Sequence, residues 1–154
     1  TATRAQIRHH SARHPARAVS AAEIIDGGTT PEATLAWAQA AGGLPLVYSS
    51  AEPEAVAAVQ EEFGRETAAL AIEDFFAKLA QQAVAAGVSR IITAGGETSG
   101  AVVEALDLTE LAIGPEIDPG VPALRAGPDL VLALKSGNFG AESFFEKAAA
   151  QLGP

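Results

Sequence analysis

The chain contains no cysteine and no methionine, and only six Phe, one Trp and one Tyr in 154 residues. The missing thiols exclude a disulfide framework, a thiolate zinc site and a cysteine nucleophile. No apolar run approaches the roughly 20 residues of a membrane span, and no charged-then-apolar signal segment opens the chain. No membrane partner is therefore expected, and the expected location is the cytoplasm. Cations are scarce as well. Ten Lys and Arg stand against nineteen Asp and Glu, a formal net charge of −9. Extended nucleic-acid binding is disfavoured, because phosphate contacts need clustered Lys and Arg. A single nucleotide is not excluded, since backbone N–H groups, helix ends and a metal can hold it.

What remains is alanine and aliphatic carbon. Hydrophobic residues make up 48% of the chain, and 35 of them are Ala. The larger apolar side chains suffice for one core, and the length fits one domain. Ala is the best helix former, so long helices are expected. The charge is uneven. Residues 1–20 hold Arg4, Arg8, Arg13 and Arg17 and no acid, while the other 134 carry a net −13. This arm reads as a surface helix touching acidic surface of its own domain or of a neighbour, rather than as a nucleic-acid tail. His10 and His14 have the i, i+4 spacing of metal ligands, but no acidic third ligand is near in sequence, so solvated histidines are expected. The abrupt start at Thr1 without an initiator Met reads as a piece of a longer protein.

The body alternates strands and helices. Thr30-Pro31-Glu32 starts a helix that should run to Ala41 and stop at Gly42-Gly43. Leu44 to Ser49 reads as a buried strand. Ser50 can cap the next helix, Pro53 to Phe63. A long amphipathic helix follows from Glu66 to Ala86, with Leu70, Phe75, Leu79 and Ala83 at helical spacing. Arg90 to Ala94 is a second strand, Ser99 to Leu106 a helix, and Leu111 to Ile117 a strand broken near Gly114-Pro115. Asp118-Pro119-Gly120 turns the chain. Leu130 to Lys135 is an almost continuous apolar run suited to a sheet covered on both faces. Ala141 to Leu152 is the last helix. This order implies an α/β fold, a layered αβα domain with a mostly parallel central sheet.

Two junctions share one plan. Ile91-Ile92-Thr93-Ala94 runs into Gly95-Gly96-Glu97-Thr98-Ser99-Gly100. Leu132-Ala133-Leu134-Lys135 runs into Ser136-Gly137-Asn138-Phe139-Gly140. In each, a strand ends in glycines and small polar residues before a helix. Such glycines let backbone N–H groups approach a phosphate, and the helix aims its positive end at the same place. Both junctions should lie at the carboxyl edge of the sheet and could face one pocket. Lys135 offers positive charge, or is a solvated strand-end lysine. Glu97 can hold magnesium or sit at the helix start. Thr98 and Ser99 can bond phosphate, with capping the safer reading. Glu116 and Asp118 could lie near magnesium but read better as a solvated loop. Gly95 to Gly100 has Walker A glycine spacing, but Ala101 stands where that loop needs Lys. Neither G-x-G-x-x-G nor G-x-S-x-G is present.

At GGETSGAVVEAL (Gly95 to Leu106), GPEIDPGVP (Gly114 to Pro122) and LALKSGNFGAESFF (Leu132 to Phe145), the sequence resembles the C-terminal nucleotide-binding domain of the four-carbon acid sugar kinase family. VYSSAEPEAV (Val47 to Val56) and the ATRAQI opening (Ala2 to Ile7) are similar too. The resemblance implies ATP-dependent phosphorylation of the terminal hydroxyl of a tetronate or 3-oxo-tetronate, and magnesium is expected to offset the remaining phosphate charge. It implies a nucleotide site at Gly95, Gly96, Glu97, Thr98, Ser99 and Gly100 and at Lys135, Ser136, Gly137, Asn138 and Gly140. It also implies an N-terminal domain that binds the sugar acid, and a Gly-Ser-x-Ser segment just before Thr1; neither is matched in this chain. No catalytic base carries over. The rival readings are a non-catalytic domain sensing a phosphorylated metabolite and an oligomerisation domain; a homo-oligomer is compatible with each.

Overall fold

The helix boundaries follow from local chemistry. The computed structural model describes residues 1–49 and 52–153. Its elements are α1 (Ala2–Ser11), β1 (Ala16–Ala18), α2 (Ala21–Ile25), α3 (Pro31–Ala41), β2 (Leu46–Tyr48), α4 (Pro53–Phe63), α5 (Arg65–Ala85), β3 (Arg90–Ala94), α6 (Gly96–Ala105), β4 (Ala112–Asp118), β5 (Val121–Arg125), β6 (Val131–Lys135) and α7 (Phe144–Leu152). Thr30 accepts the Ala33 N–H at 3.2 Å and Pro31 opens α3. Ser20 and Glu23 form a reciprocal capping box around α2, which satisfies two amides that the helix itself leaves free. The proposed Ser50 cap of α4 lies outside the described residues.

Among the described residues six strands form two sheets. β1 and β2 pair in parallel. The larger sheet has the order β3-β6-β5-β4. Within it β3 and β6 are parallel, while β5 is antiparallel to both β6 and β4. The α/β class is as expected, and the four-stranded sheet is mixed because of β5. That strand is absent from the sequence reading. Pro119 and Gly120 turn β4 back onto it, and Pro122 sits opposite Glu116 where the β4–β5 register shifts, an irregularity that tolerates a residue without an N–H.

Both faces of the larger sheet are covered. Leu132 and Ala133 are neighbours on β6 and both are 0% exposed. Successive strand residues point to opposite faces, so each face must be packed. Ala133 belongs to the core that Phe144, Phe145 and Ala148 of α7 build with Ile7 of α1, Ile117 and Val121. α6 packs on β3 and β6, and on α5. The amphipathic reading of α5 needs one change: Phe75 is buried, but Leu70 is 55% exposed.

The basic arm is integral to the domain. α1 packs on α7 and β2. As expected, the arm meets acidic groups of its own domain: Arg4 on α1 pairs with Glu52 at 2.8 Å, and His14 beyond the helix with Glu146 at 2.8 Å. The histidines are not all solvated. His10 is buried, with Nε2 2.7 Å from the Leu44 carbonyl. Once its Nε2 is committed there, the i, i+4 spacing serves packing rather than a metal.

Candidate functional site

The two glycine junctions lie side by side. Ala94 pairs with Lys135 across the parallel β3–β6 ladder. One residue later, the Gly95 N–H donates to the Lys135 carbonyl at 2.8 Å. Gly95 has φ +102°, a conformation that side-chain-bearing residues rarely adopt. It lets the chain leave β3 and enter α6 without an intervening loop.

The helix therefore begins earlier than the sequence reading placed it. α6 starts at Gly96 rather than Ser99, so Gly96, Glu97, Thr98, Ser99 and Gly100 lie in its first turns. Among the described residues no side chain caps it. Thr98 and Ser99 are not caps, because they sit inside the helix. The Ser99 hydroxyl is 2.6 Å from that of Thr93 and donates to the Lys135 carbonyl at 3.5 Å. Its role is to tie helix to sheet. The first-turn amides of Gly96, Glu97 and Thr98 precede the first intrahelical donor, the Ser99 N–H bonded to Gly95. They form the positive end of the helix.

The second junction is a loop braced from three sides. Thr3 on α1 donates to the Gly137 carbonyl from both its N–H (3.1 Å) and its hydroxyl (2.8 Å). The Gln6 amide donates to the Phe139 and Ala141 carbonyls at 2.9 and 3.1 Å. Asp118 accepts the Ala141 N–H at 3.0 Å and pairs with Lys147. Gly140 has φ +88°, and a Cβ there would lie 3.0 Å from both Gln6 Nε2 and Phe144 Cδ2. α7 starts at Phe144 rather than Ala141, leaving 136–143 as the connection. Ser136 and Asn138 are exposed on it.

Lys135 departs from both simple alternatives. It is 0% exposed, not a solvated strand-end lysine, because β6 ends beneath α1 and α7. Its Nζ donates to the Thr3 hydroxyl and the Ser136 carbonyl, each at 2.9 Å, and lies 5.9 Å from the Phe144 ring centroid. Burial holds its pKa below the ordinary lysine value. Among the described residues no carboxylate forms an ion pair with it. A buried cation without an opposite charge is costly, and an anion would relieve that cost.

The acidic candidates separate. Asp118 is on a strand and 6% exposed, not in a solvated loop. Burial works against its charge, but the bonds from Lys147 and the Ala141 N–H, with the Lys147 charge, bring its pKa below the usual carboxylate value. Glu116 accepts the Gly120 N–H at 3.2 Å, which holds the hairpin turn. Glu97 is exposed in the first turn of α6. Among the described residues no group of three or more His, Cys, Asp or Glu could hold a metal ion. Magnesium takes phosphate oxygens and water with one or two carboxylates, and Glu97 is an exposed carboxylate in the first turn of α6. No described helix is long and apolar enough to cross a membrane.

Sequence reasoning missed the bracing residues. Thr3 and Gln6 share one face of α1 at i, i+3 spacing, a signal present in the opening of the chain. Nothing local connects them to a loop some 130 residues away. A groove of about 730 Å³ lies beside the junctions, between β2 and β3. Of the predicted site residues, only Thr98 lines it.

Residues 1–145 match the model of a family described as the nucleotide-binding C-terminal domain. The chain belongs to this nucleotide-binding C-terminal domain family. Named relatives agree. The chain is 48% identical over 150 residues to a 3-oxo-tetronate kinase of Brucella melitensis, covering 95% of this chain and 34% of the relative. It is 46% identical over 143 residues to a 3-oxo-tetronate kinase of Pseudomonas fluorescens, covering 92% and 33%. The chain thus spans about a third of the length of these relatives. The crystal structure of Haemophilus influenzae protein HI1011 superposes with a TM-score of 0.92 at 40% identity, over 99% of this chain and 38% of that one. A Salmonella typhimurium LT2 structure gives 0.90 at 38% identity, over 98% and 38%.

Proposed function

We propose that this domain binds ATP with magnesium as the nucleotide-binding part of a kinase. The kinase would phosphorylate the terminal hydroxyl of a four-carbon sugar acid of the 3-oxo-tetronate class. The observation that carries the reading is the main-chain bond from Gly95 to Lys135, which sets the uncapped start of α6 beside the 136–140 loop. Phosphoryl transfer depends mainly on positioning and charge stabilisation, and these groups supply both. The first-turn amides of α6 and the amides of residues 136–140 would hold phosphate oxygens. Lys135 would neutralise phosphate charge, and magnesium would offset the rest. The sugar acid, the attacking hydroxyl and its base would belong to a separate N-terminal domain of the full polypeptide.

Calorimetry with ATP, ADP, adenosine and sugar phosphates, each with magnesium, tests this. The expected order is ATP tightest and adenosine weakest, with binding weak overall and no turnover by this chain alone. Equal affinity for ATP and simple phosphate esters would instead mark a domain that senses a phosphorylated metabolite. No heat at millimolar nucleotide, with the fold intact by circular dichroism, would overturn the proposal.

A further inference from the structure

Three amides of the 136–140 loop are turned outward by donors that lie outside the loop. A trans peptide is planar, and its C=O and N–H point in opposite directions. Fixing the carbonyl of one residue therefore aims the amide of the next. The Ser136 carbonyl accepts from Lys135 Nζ at 2.9 Å, which aims the Gly137 N–H away from the ammonium group. The Gly137 carbonyl accepts from the Thr3 N–H and hydroxyl at 3.1 and 2.8 Å, which aims the Asn138 N–H away from α1. The Phe139 carbonyl accepts from Gln6 Nε2 at 2.9 Å, which aims the Gly140 N–H away from α1 as well. Among the described residues the amides of Gly137, Asn138 and Gly140 bond no main-chain carbonyl. The Phe139 amide between them does, turning back to the Ser136 carbonyl at 3.3 Å. Each free amide thus follows a pinned carbonyl.

Gln6 is the costly member of this set. It is 0% exposed, and among the described residues its buried Oε1 has no partner. Turning the side-chain amide over would set that oxygen against the Phe139 and Ala141 carbonyls, so the orientation with Nε2 toward them is the better one. A buried polar atom without a partner is unfavourable. An apolar side chain of similar length would avoid the cost, so packing does not call for glutamine here. What glutamine supplies is an NH₂ group with two donors. One serves the Phe139 carbonyl at 2.9 Å and the other the Ala141 carbonyl at 3.1 Å. The NH₂ group sits against Gly140, where a Cβ would lie 3.0 Å from Nε2.

We propose that Gln6 is a positioning residue for the phosphates of the nucleotide. It touches no ligand itself. It holds the peptide planes on either side of Gly140, so that the Gly140 N–H already points outward before an anion arrives. Donors fixed in advance need no reordering on binding, and that saving appears as affinity. Thr3 and Lys135 hold the planes that carry the Asn138 and Gly137 amides in the same way. Successive N–H groups presented together form an anion-binding concavity. The role rests on the nucleotide site proposed above and adds α1 to it, some 130 residues away in sequence.

Gln6→Leu in the full-length protein tests the role. Calorimetry would use ATP, tripolyphosphate and adenosine, each with magnesium, and the same preparations would be melted. Leucine removes both donors together with the unpartnered oxygen. ATP and tripolyphosphate should bind roughly tenfold more weakly, adenosine should bind as before, and the melting temperature should hold or rise. Gln6→Met, a longer and more flexible apolar chain, should give the same pattern and replaces the leucine variant if that one does not fold. Unchanged affinity for ATP and tripolyphosphate in a folded variant would overturn the role and leave the nucleotide reading standing. A lower melting temperature with equal losses for adenosine and both phosphates would make Gln6 merely structural, and would overturn the role too. Wild-type protein that binds neither ATP nor tripolyphosphate would overturn the nucleotide reading and this role with it.

Discussion

The Gly95 N–H and the Lys135 carbonyl are hydrogen-bonded at 2.8 Å, which fixes the start of α6 against the end of β6. Through this bond, two junctions some forty residues apart in sequence become neighbours. The same residue that accepts it carries a buried ammonium group that, among the described residues, pairs with no carboxylate. Stability and binding should therefore respond in opposite directions to changes at Lys135.

Lys135→Met removes the charge but keeps a long flexible chain. The free domain should lose little stability or gain some, since a buried uncompensated charge is replaced by apolar volume. ATP affinity should fall roughly ten- to hundred-fold, the loss of a charge-assisted bond of about 1.5–3 kcal/mol. Adenosine affinity should be unchanged. Urea unfolding and calorimetry on the same preparation read both effects.

Gly140→Ala should destabilise the domain by at least about 2 kcal/mol, combining left-handed backbone strain with overpacking. The position has φ +88° and its Cβ would press on Gln6 and Phe144. The urea midpoint should drop with the slope unchanged, because the loss lies in the native state. Gly127→Ala is the contrast: it has φ +73° with open space around it, so only the strain contributes and the loss should be smaller.

Acid should weaken the domain through His10. Burial is the largest influence on this imidazole and lowers its pKa below 6.5. Among the described residues its buried Nδ1 has no partner, so a second ring proton would find no acceptor there. The unfolded chain takes up a proton near pH 6.5 while the folded one resists. The stability contributed is full above pH 6.5 and is lost as pH falls through the folded value. A series of melting temperatures from pH 7.5 to 4.5 should show this fall. His10→Gln, which can still donate to Leu44, should flatten it; an identical profile in the variant would remove His10 as the cause.

Asp118→Ala should cost about 1–3 kcal/mol, because the Ala141 N–H loses its acceptor and Lys147 its partner. The variant should also bind ATP more weakly, since Asp118 braces the 136–141 loop without facing solvent. Asp118→Asn keeps an acceptor for Ala141 and should recover most of the binding but not all of the stability. Equal ATP affinity in the wild type and the alanine variant would separate the loop from the nucleotide site.

The helix-rich body was legible because its signals are local. Thr30-Pro31 and Gly42 bound α3, Gly64 ends α4, and Arg90 to Ala94 is β3 as read. Three features needed the tertiary structure. β5 hides behind Pro122, whose presence in a strand depends on the irregular pairing opposite Glu116. The early start of α6 depends on Gly95 reaching across to Lys135. Thr3 and Gln6 gain their roles only when α1 lies over the 136–141 loop. The capping box at Ser20 and Glu23 is a local signal for α2 that the periodicity of so short a helix does not reinforce. For the site, residue types and glycines pointed to the sheet edge, while the burial of Lys135 and Asp118 came from what packs above them.

Nuclear magnetic resonance mapping of ATP with magnesium onto the backbone amides tests the account most directly. Saturable shifts should concentrate at Gly96, Glu97 and Thr98 and at Gly137, Asn138 and Gly140, and should be lost in Lys135→Met. Saturable shifts elsewhere on the domain, with these amides silent, would contradict it.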